Sequence, residues 1–482
     1  MKGEWFVYIG IDLGSTNLKV ALYDENLHLL GQESCPVNYI RKDSQIEFDL
    51  VPYGEDLFAL IGKLLSQHPG KKLRRIAFTG QAETLVCLDR EGKPLCNAIS
   101  WMDERSVKEC EVLAQRFSSE ECYRVTGQQA VVPTWPATKI LWLKNNRPEV
   151  YDNVGSYMLL KDYMVYLLTG RMCCDMSIAT FSFYFDIYNK CYWQDMLDAI
   201  GVSHSQLPPL VEPNTVVGTL TEGVAQKLGV SADVEVNTGT LDHFAGMIGT
   251  GNLTPGIMTL STGTTMVLAT MAKGVPAPDC GIAMHYGFLP DTHVMLSVME
   301  SGGNCLEWFR RTCLGGLDYD TINKEVAACD TGKSLLFLPY ITGVNPPEFD
   351  ANATGVFYGL RQEHTQFHMA RAVMEGVSFV LRKNCQHMAA NGTPVHSIIA
   401  TGGGAKSAVW CQMQADITGV PVVVPKVTEA GCLGAAMVAA EKQDAYVLTD
   451  EKRYEPQYNE ALEEKYKKFC KLYTAVLETE NI

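Results

Sequence analysis

Asp12-Leu13-Gly14-Ser15-Thr16-Asn17-Leu18-Lys19 stands between two apolar runs, Phe6–Ile11 and Leu18–Tyr23, near the start of a 482-residue chain. The runs read as strands and the glycine and hydroxyl residues as the turn that joins them. Gly14 lets the backbone approach an oxyanion closely. Ser15, Thr16 and the turn N–H groups are donors that suit phosphate oxygens, and Lys19 places a positive charge nearby. Asp12 ends a strand of buried character, where a carboxylate needs a partner; a hydrated Mg²⁺ is one such partner. The same residues also read as an ordinary hairpin, so the motif alone decides nothing.

Its counterpart does more. Ser261-Thr262-Gly263-Thr264-Thr265-Met266-Val267-Leu268-Ala269-Thr270 repeats the pattern of glycine and hydroxyls between apolar runs. Two such hairpins, one per half, suggest duplicated domains facing each other across a cleft, with a boundary near Val236–Leu253. A third glycine segment, Thr401-Gly402-Gly403-Gly404-Ala405-Lys406-Ser407, follows a strand at Ser397–Ala400 and precedes a helix from about Ser407. A shelf without side chains at a strand-to-helix turn suits a nucleotide's phosphates or flat base.

Further strands are expected near Gln32–Tyr39 and Leu73–Phe78. Helices are expected near Tyr53–Ser66, Ala137–Asn146, Ser156–Leu168 and Pro456–Glu478. Mixed strands and helices of this kind indicate an α/β fold, and the length suits two domains. The net charge of −15 gives no nucleic-acid surface. No apolar run is long enough to span a membrane and no signal peptide is seen. The sixteen Cys include no C-x-x-C pair, so they read as reduced thiols of a cytoplasmic protein, with Cys173-Cys174 as packing. Neither G-x-G-x-x-G after the first strand nor G-x-x-x-x-G-K-[ST] occurs, which argues against dinucleotide and P-loop folds.

Thr238-Gly239-Thr240-Leu241-Asp242-His243-Phe244-Ala245-Gly246 puts a carboxylate after a glycine turn, at the head of a helix of small residues. Asp242 reads either as an N-cap or as a general base that takes the proton of an attacking hydroxyl.

Taken in order, these segments resemble the FGGY carbohydrate kinases, the family of glycerol kinase, xylulokinase, ribulokinase and gluconokinase. Ile9–Val20 resembles the family's first phosphate loop, Gly239–Gly249 the segment with its catalytic Asp, and Ser261–Thr265 its second phosphate loop. Phe337-Leu338-Pro339-Tyr340 and Gly355–Leu360 resemble the run before the late glycine shelf. Ala400–Lys406, Gln414-Ala415-Asp416, Pro421-Val422 and Glu429–Ala436 resemble its C-terminal signature. The resemblance implies two actin-like ATPase (ribonuclease H-like) domains flanking a deep catalytic cleft. Residues 1–245 would bind the sugar, and 246–482, with a C-terminal helix, the nucleotide. It implies ATP and Mg²⁺, Asp242 as the base, and Asp12 holding Mg²⁺ through water. Gly14, Ser15, Thr16, Lys19, Gly263 and Thr264 would meet phosphate, and Gly403, Gly404 and Ala405 would line the nucleotide pocket. Gln81, Ala82, Glu83, Trp101, Asp103 and Asp242 would meet the sugar. Homodimers are common in the family; the sequence itself leaves the oligomeric state open.

The departures bear on the substrate. Glycerol kinase has an Arg where this chain has Ala82, which disfavours glycerol. Xylulokinases typically have Met-His where this chain has Ala82-Glu83, although Lys161-Asp162-Tyr163 and Trp135–Glu149 lean towards them. Glu83 disfavours an acidic substrate such as gluconate. Gly343-Val344-Asn345 replaces the Gly-Glu-Arg of many relatives. The resulting expectation is ATP-dependent phosphorylation of a small sugar or polyol, foremost a ketopentose such as xylulose. The alternative is a non-catalytic or degenerate nucleotide-dependent sugar sensor on the same fold.

Overall fold

The strand Phe6–Leu13 lies between a parallel neighbour, Lys72–Gly80, and an antiparallel one, Asn17–Asp24. Around it a six-stranded sheet runs in the order Val216–Thr219, Glu235–Leu241, Lys72–Gly80, Phe6–Leu13, Asn17–Asp24, Leu29–Pro36. This computed structural model describes residues 6–274, 281–330, 335–344, 350, 352–427, 429–443 and 452–480. The chain forms two units. The first comprises Met1–Gly251, Ala283–Val294 and Val427–Val447; the second comprises Asn252–Ile282, Met295–Lys426 and Leu448–Ile482.

In the first unit both faces of the sheet are covered, which explains why its strands read as nearly continuous apolar runs. Val7, Ile9, Ile11 and Leu13 share a core with Leu57, Ile61 and Leu64 of the helix Leu50–Gln67. Asp49 caps that helix by accepting from Val51 N at 2.9 Å. The helix Ala430–Ala439 lies on the sheet through a contact of small residues, Ala435 and Ala439 on Ala77. A side chain at Gly10 would collide with Cys432 O, and one at Gly434 with Ala245 O. Glycine and alanine therefore allow this helix to seat both on the sheet and on the helix Asp242–Gly249.

Register decides where the chemistry collects. Leu13 pairs with Gly80, and Leu241 with Gly80 on the other side. The carboxyl ends of three parallel strands thus lie side by side, the usual place for ligands in an open α/β sheet.

The second unit repeats the arrangement. Ile257–Thr262 is antiparallel to Met266–Met271 and parallel to Ser397–Gly402, with Thr262 opposite Gly402. The C-terminal helix Glu460–Glu480 stays in this unit, with Phe469 near Phe379 at 5.3 Å between ring centroids.

Two sequence expectations need correction. The stretch expected as one helix near Ser156–Leu168 is a strand, Ser156–Leu159, followed by a helix, Leu160–Thr169. Ser156–Leu159 pairs with Leu85–Leu88, a partner too remote for local periodicity to register. The strand expected near Gln32–Tyr39 is Leu29–Pro36, and it ends at a proline, which has no N–H to extend a ladder. Every described cysteine is a free thiol. Among the described residues no helix is long and apolar enough to cross a membrane.

Candidate active site

In the first unit, Asp12 sits at the end of its strand with Oδ1 buried and without a hydrogen-bond partner. Burial pushes its carboxyl up to about 7; the negative charges of Asp242 and Glu429 add to this and Lys19 opposes it. Such a group is poised to gain from a cation. No cluster of three His, Cys, Asp or Glu side chains is arranged to ligate a metal directly among the described residues. A lone orphaned oxygen with further carboxylates in electrostatic reach instead fits an ion that keeps its waters, as Mg²⁺ does.

The turn that follows is tightly built. A side chain at Gly14 would stand 2.8 Å from Asn17 O. Ser15 Oγ accepts from Trp101 Nε1 at 2.9 Å, and Ser15 O from Tyr39 OH at 2.8 Å. Thr16 is exposed. Lys19, expected beside phosphate, forms an ion pair with Glu429 at 2.7 Å.

Gln81 follows the strand Lys72–Gly80 and joins the first turn through its N–H to Leu13 O at 3.1 Å. Its Oε1 accepts from Thr84 Oγ1 at 3.0 Å. Ala82 is half-buried. Glu83 has a φ of 65°, a conformation that costs a residue with a Cβ and that clusters at functional sites. Its Oε2 is buried and unpartnered. Burial raises the carboxyl to about 6, against the pull of Lys139 and a hydrogen bond from Thr134. Lys139, a residue that sequence reasoning missed, is fully buried and donates to Glu83 O at 3.1 Å and Ser100 O at 2.8 Å. It ties the segment after Gly80 to the segment that carries Trp101.

Asp103 is placed differently from the expectation of a sugar contact. It is 0% exposed. Oδ1 accepts from Arg105 N and Nε at 3.1 and 2.8 Å; Oδ2 accepts from Arg105 Nη2 at 2.7 Å and Ile46 N at 2.5 Å. Both oxygens are committed, so Asp103 anchors the loop and has no acceptor to offer a ligand.

Asp242 is the first residue of its helix, one position beyond the N-cap, Leu241. Its Oδ1 accepts from His243 N at 2.6 Å. The N-cap reading of Asp242 is therefore not what the structure has. The carboxylate stands at a helix N-terminus, the positive end of the helix dipole.

In the second unit a cavity of about 750 Å³ is lined by Thr262, Gly263, Thr264, Gly403 and Gly404, with Asn304, Trp308, Tyr319 and Trp410 among the other residues. Ala405, expected with its neighbours, is not one of the lining residues. Gly402 has a φ of 77°, and a side chain on Gly404 would stand 2.7 Å from Thr262 Cβ. Gly263 itself is under no such demand. The close approach belongs to Gly302 and Gly303, where a side chain would strike Thr265 and Gly263 O. Gly303 N donates to Gly263 O at 2.9 Å and Asn304 N to Thr264 O at 3.0 Å. The hairpin turn thus rests on the start of the helix Gly303–Cys313. The Gly302-Gly303 pair stands in the sequence, but its need for glycine comes from a hairpin about forty residues away and has no local sign. Gly343 and Val344 are described, whereas Asn345 lies outside the described residues.

Two hydroxyl-bearing hairpins on duplicated α/β units, one entered by Asp12 with its buried, unpartnered oxygen and one beside a glycine-lined cavity, fit a two-domain actin-like ATPase fold. The family comparison gives the more particular identity. Residues 7–249 match the N-terminal domain and 258–441 the C-terminal domain of the FGGY family of carbohydrate kinases, and the chain belongs to that family. It is 31% identical to the xylulose kinase of Escherichia coli (strain K12), over 90% of this chain and 89% of that protein. It is 27% identical to the gluconokinase of Bacillus subtilis (strain 168), over 89% and 86%. The crystal structure of ligand-bound xylulose kinase from Lactobacillus acidophilus superposes with a TM-score of 0.88 at 26% identity, covering 99% of this chain and 98% of that one. The protein is a carbohydrate kinase.

Proposed function

We propose that this kinase transfers the γ-phosphoryl group of ATP to a hydroxyl of a small ketose or polyol, foremost a ketopentose such as xylulose. The observation that carries this reading is the pair Asp12 and Asp242 at the ends of the two strands that flank Lys72–Gly80, one with a buried, unpartnered oxygen, the other at a helix N-terminus. The relatives named xylulose kinases support the choice of sugar.

Phosphoryl transfer passes through a loose transition state, so the protein mainly positions groups and offsets charge. Asp242 orients the attacking hydroxyl and accepts its proton late, because a carboxylate is too weak a base to deprotonate a sugar hydroxyl in the ground state. Asp12 would hold a hydrated Mg²⁺, whose charge would neutralise phosphate oxygens. The turn at Gly14, Ser15 and Thr16 and the turn at Gly263 and Thr264 supply hydrogen-bond donors to phosphate. Lys19 contributes to the same field through its pair with Glu429. Gly403 and Gly404 leave space for the nucleotide. Gln81, Ala82, Glu83 and Trp101 surround the sugar, with Asp103 holding their loop. Glu83 accepts from hydroxyls and repels a carboxylate, which separates this substrate from gluconate.

The test is ADP release with Mg-ATP against D- and L-xylulose, D- and L-ribulose, L-fuculose, erythritol, glycerol and gluconate. One neutral sugar should turn over, and Asp242→Asn should lower kcat by about 10²–10⁴-fold. Sugar-independent hydrolysis alone, or an Asp242→Asn enzyme near full rate, would remove Asp242 as the base.

A further inference from the structure

Lys161, Asp162 and Asp175 are each 0% exposed, three ionisable groups inside the first unit. Ions are buried only at a cost that good partners must offset, and where these partners lead is informative. Lys161 Nζ lies 2.5 Å from Asp175 Oδ2 and 3.6 Å from Asp162 Oδ1, and it donates to Thr238 O at 2.8 Å. Asp175 Oδ1 accepts from Ser177 N at 2.8 Å and from Ser177 Oγ at 2.5 Å. With its proton committed to Asp175, Ser177 Oγ turns its lone pairs the other way. They accept from Leu241 N at 3.2 Å and Thr240 Oγ1 at 2.8 Å.

Every link therefore ends on the last residues before Asp242. That stretch is irregular. Its register against Lys72–Gly80 shifts between Asn237 and Thr240, and Gly239 takes a φ of 62°. A side chain at Gly239 would collide with Phe78 O. A bulge of this kind re-aims the side chain that follows it. Where ladder bonds lapse, other groups must fix the direction of the chain. Here they are Asn237 Oδ1, which accepts from Gly239 N at 2.7 Å, Lys161 on Thr238 and Ser177 on Leu241.

We propose that Lys161, Asp175 and Ser177 form a positioning relay that holds the bulge before Asp242 and so aims its carboxylate at the acceptor hydroxyl. Lys161 and Asp175 supply the lock between charges, and Ser177 carries it to the backbone N–H directly ahead of Asp242. None of the three touches substrate. Their effect falls on the proton-accepting group, and the inference rests on Asp242 being the base.

The experiment compares the full-length wild type, Ser177→Ala, Asp242→Asn and the double variant, reading kcat, KM for ATP and the melting temperature. Ser177→Ala should lower kcat by about 10–100-fold, the scale of a small misplacement of a reacting group. Its KM for ATP should stay within about twofold, since none of the three residues belongs to the phosphate turns and the glycine-lined cavity lies in the other unit. In the Asp242→Asn background the same change should cost less than about twofold, because no base remains to be aimed. An equal loss in both backgrounds would make Ser177 merely structural and overturn the relay. Full activity of Ser177→Ala beside a crippled Asp242→Asn would also overturn it, while leaving the base in place. An active Asp242→Asn would remove the base reading, and the relay with it.

Discussion

The two glycine–hydroxyl hairpins share a backbone plan and differ in charge. The first has Asp12 at its entry and Lys19 beyond its exit, the latter paired with Glu429. The second, Ser261 to Met266, has no ionisable side chain, and its turn carbonyls accept the leading N–H groups of the helix Gly303–Cys313. A duplicated hairpin has thus become a charged turn on one unit and a neutral, backbone-buttressed turn on the other. Repetition of form does not carry repetition of chemistry; the flanking residues decide that.

The comparison is broken most severely by neutralising Asp12. Asp12→Asn should lower kcat by about 10–100-fold and raise the Mg²⁺ requirement, as loss of a group that orients a metal's waters does. Its apo form should move the opposite way in stability. In the folded chain burial holds Asp12 protonated up to about 7, against an ordinary value of 3.8. The unfolded state then binds fewer protons between those values, so wild-type stability falls as pH rises through that window. Asn has no such loss. In chelator at pH 8, Asp12→Asn should therefore be more stable by about 2–4 kcal/mol, and the gain should vanish near pH 4. Equal denaturation midpoints at both pH values would contradict the buried, unpaired carboxylate.

A smaller effect is expected at the neutral hairpin. Gly303→Ala forces a side chain against Gly263 O, so the turn must shift. Overpacking of this kind costs about 1–3 kcal/mol, and KM for ATP should rise about tenfold through misplacement of the turn. If KM for the sugar rises instead, the neutral turn is not serving the nucleotide. The smallest effect tests the charged turn's outer pair. Lys19→Met removes a partly exposed ion pair, which should change stability by no more than about 1 kcal/mol. A loss of kcat as large as that of Asp12→Asn would mean that Lys19 leaves Glu429 to bind phosphate directly.

Both hairpins, the glycine shelf and Asp242 were legible in the sequence because each is local: strand, turn and strand or helix within about a dozen residues. What was not legible depends on distant partners. Ser156–Leu159 is a strand only because Leu85–Leu88 lies beside it. Lys139 reads as an ordinary helix residue until its ammonium is seen on Glu83 O and Ser100 O. Asp103 looked like a ligand contact because it follows Trp101 in a polar loop; Arg105, two residues on, takes most of its acceptor capacity. The demand for glycine at Gly303 arises from Gly263, forty residues earlier in the chain.

The seat of the helix Ala430–Ala439 on Gly10 has a consequence for biosynthesis. The first unit's sheet is translated within the first half of the chain, yet one of its faces is covered by residues made near the end. During synthesis that small-residue face waits uncovered while most of the second unit emerges. A fragment ending at Gly251 carries the sheet without its cover. It should be an aggregation-prone species, of the kind that recruits chaperones, and the nascent protein should depend on them until its last helices leave the ribosome.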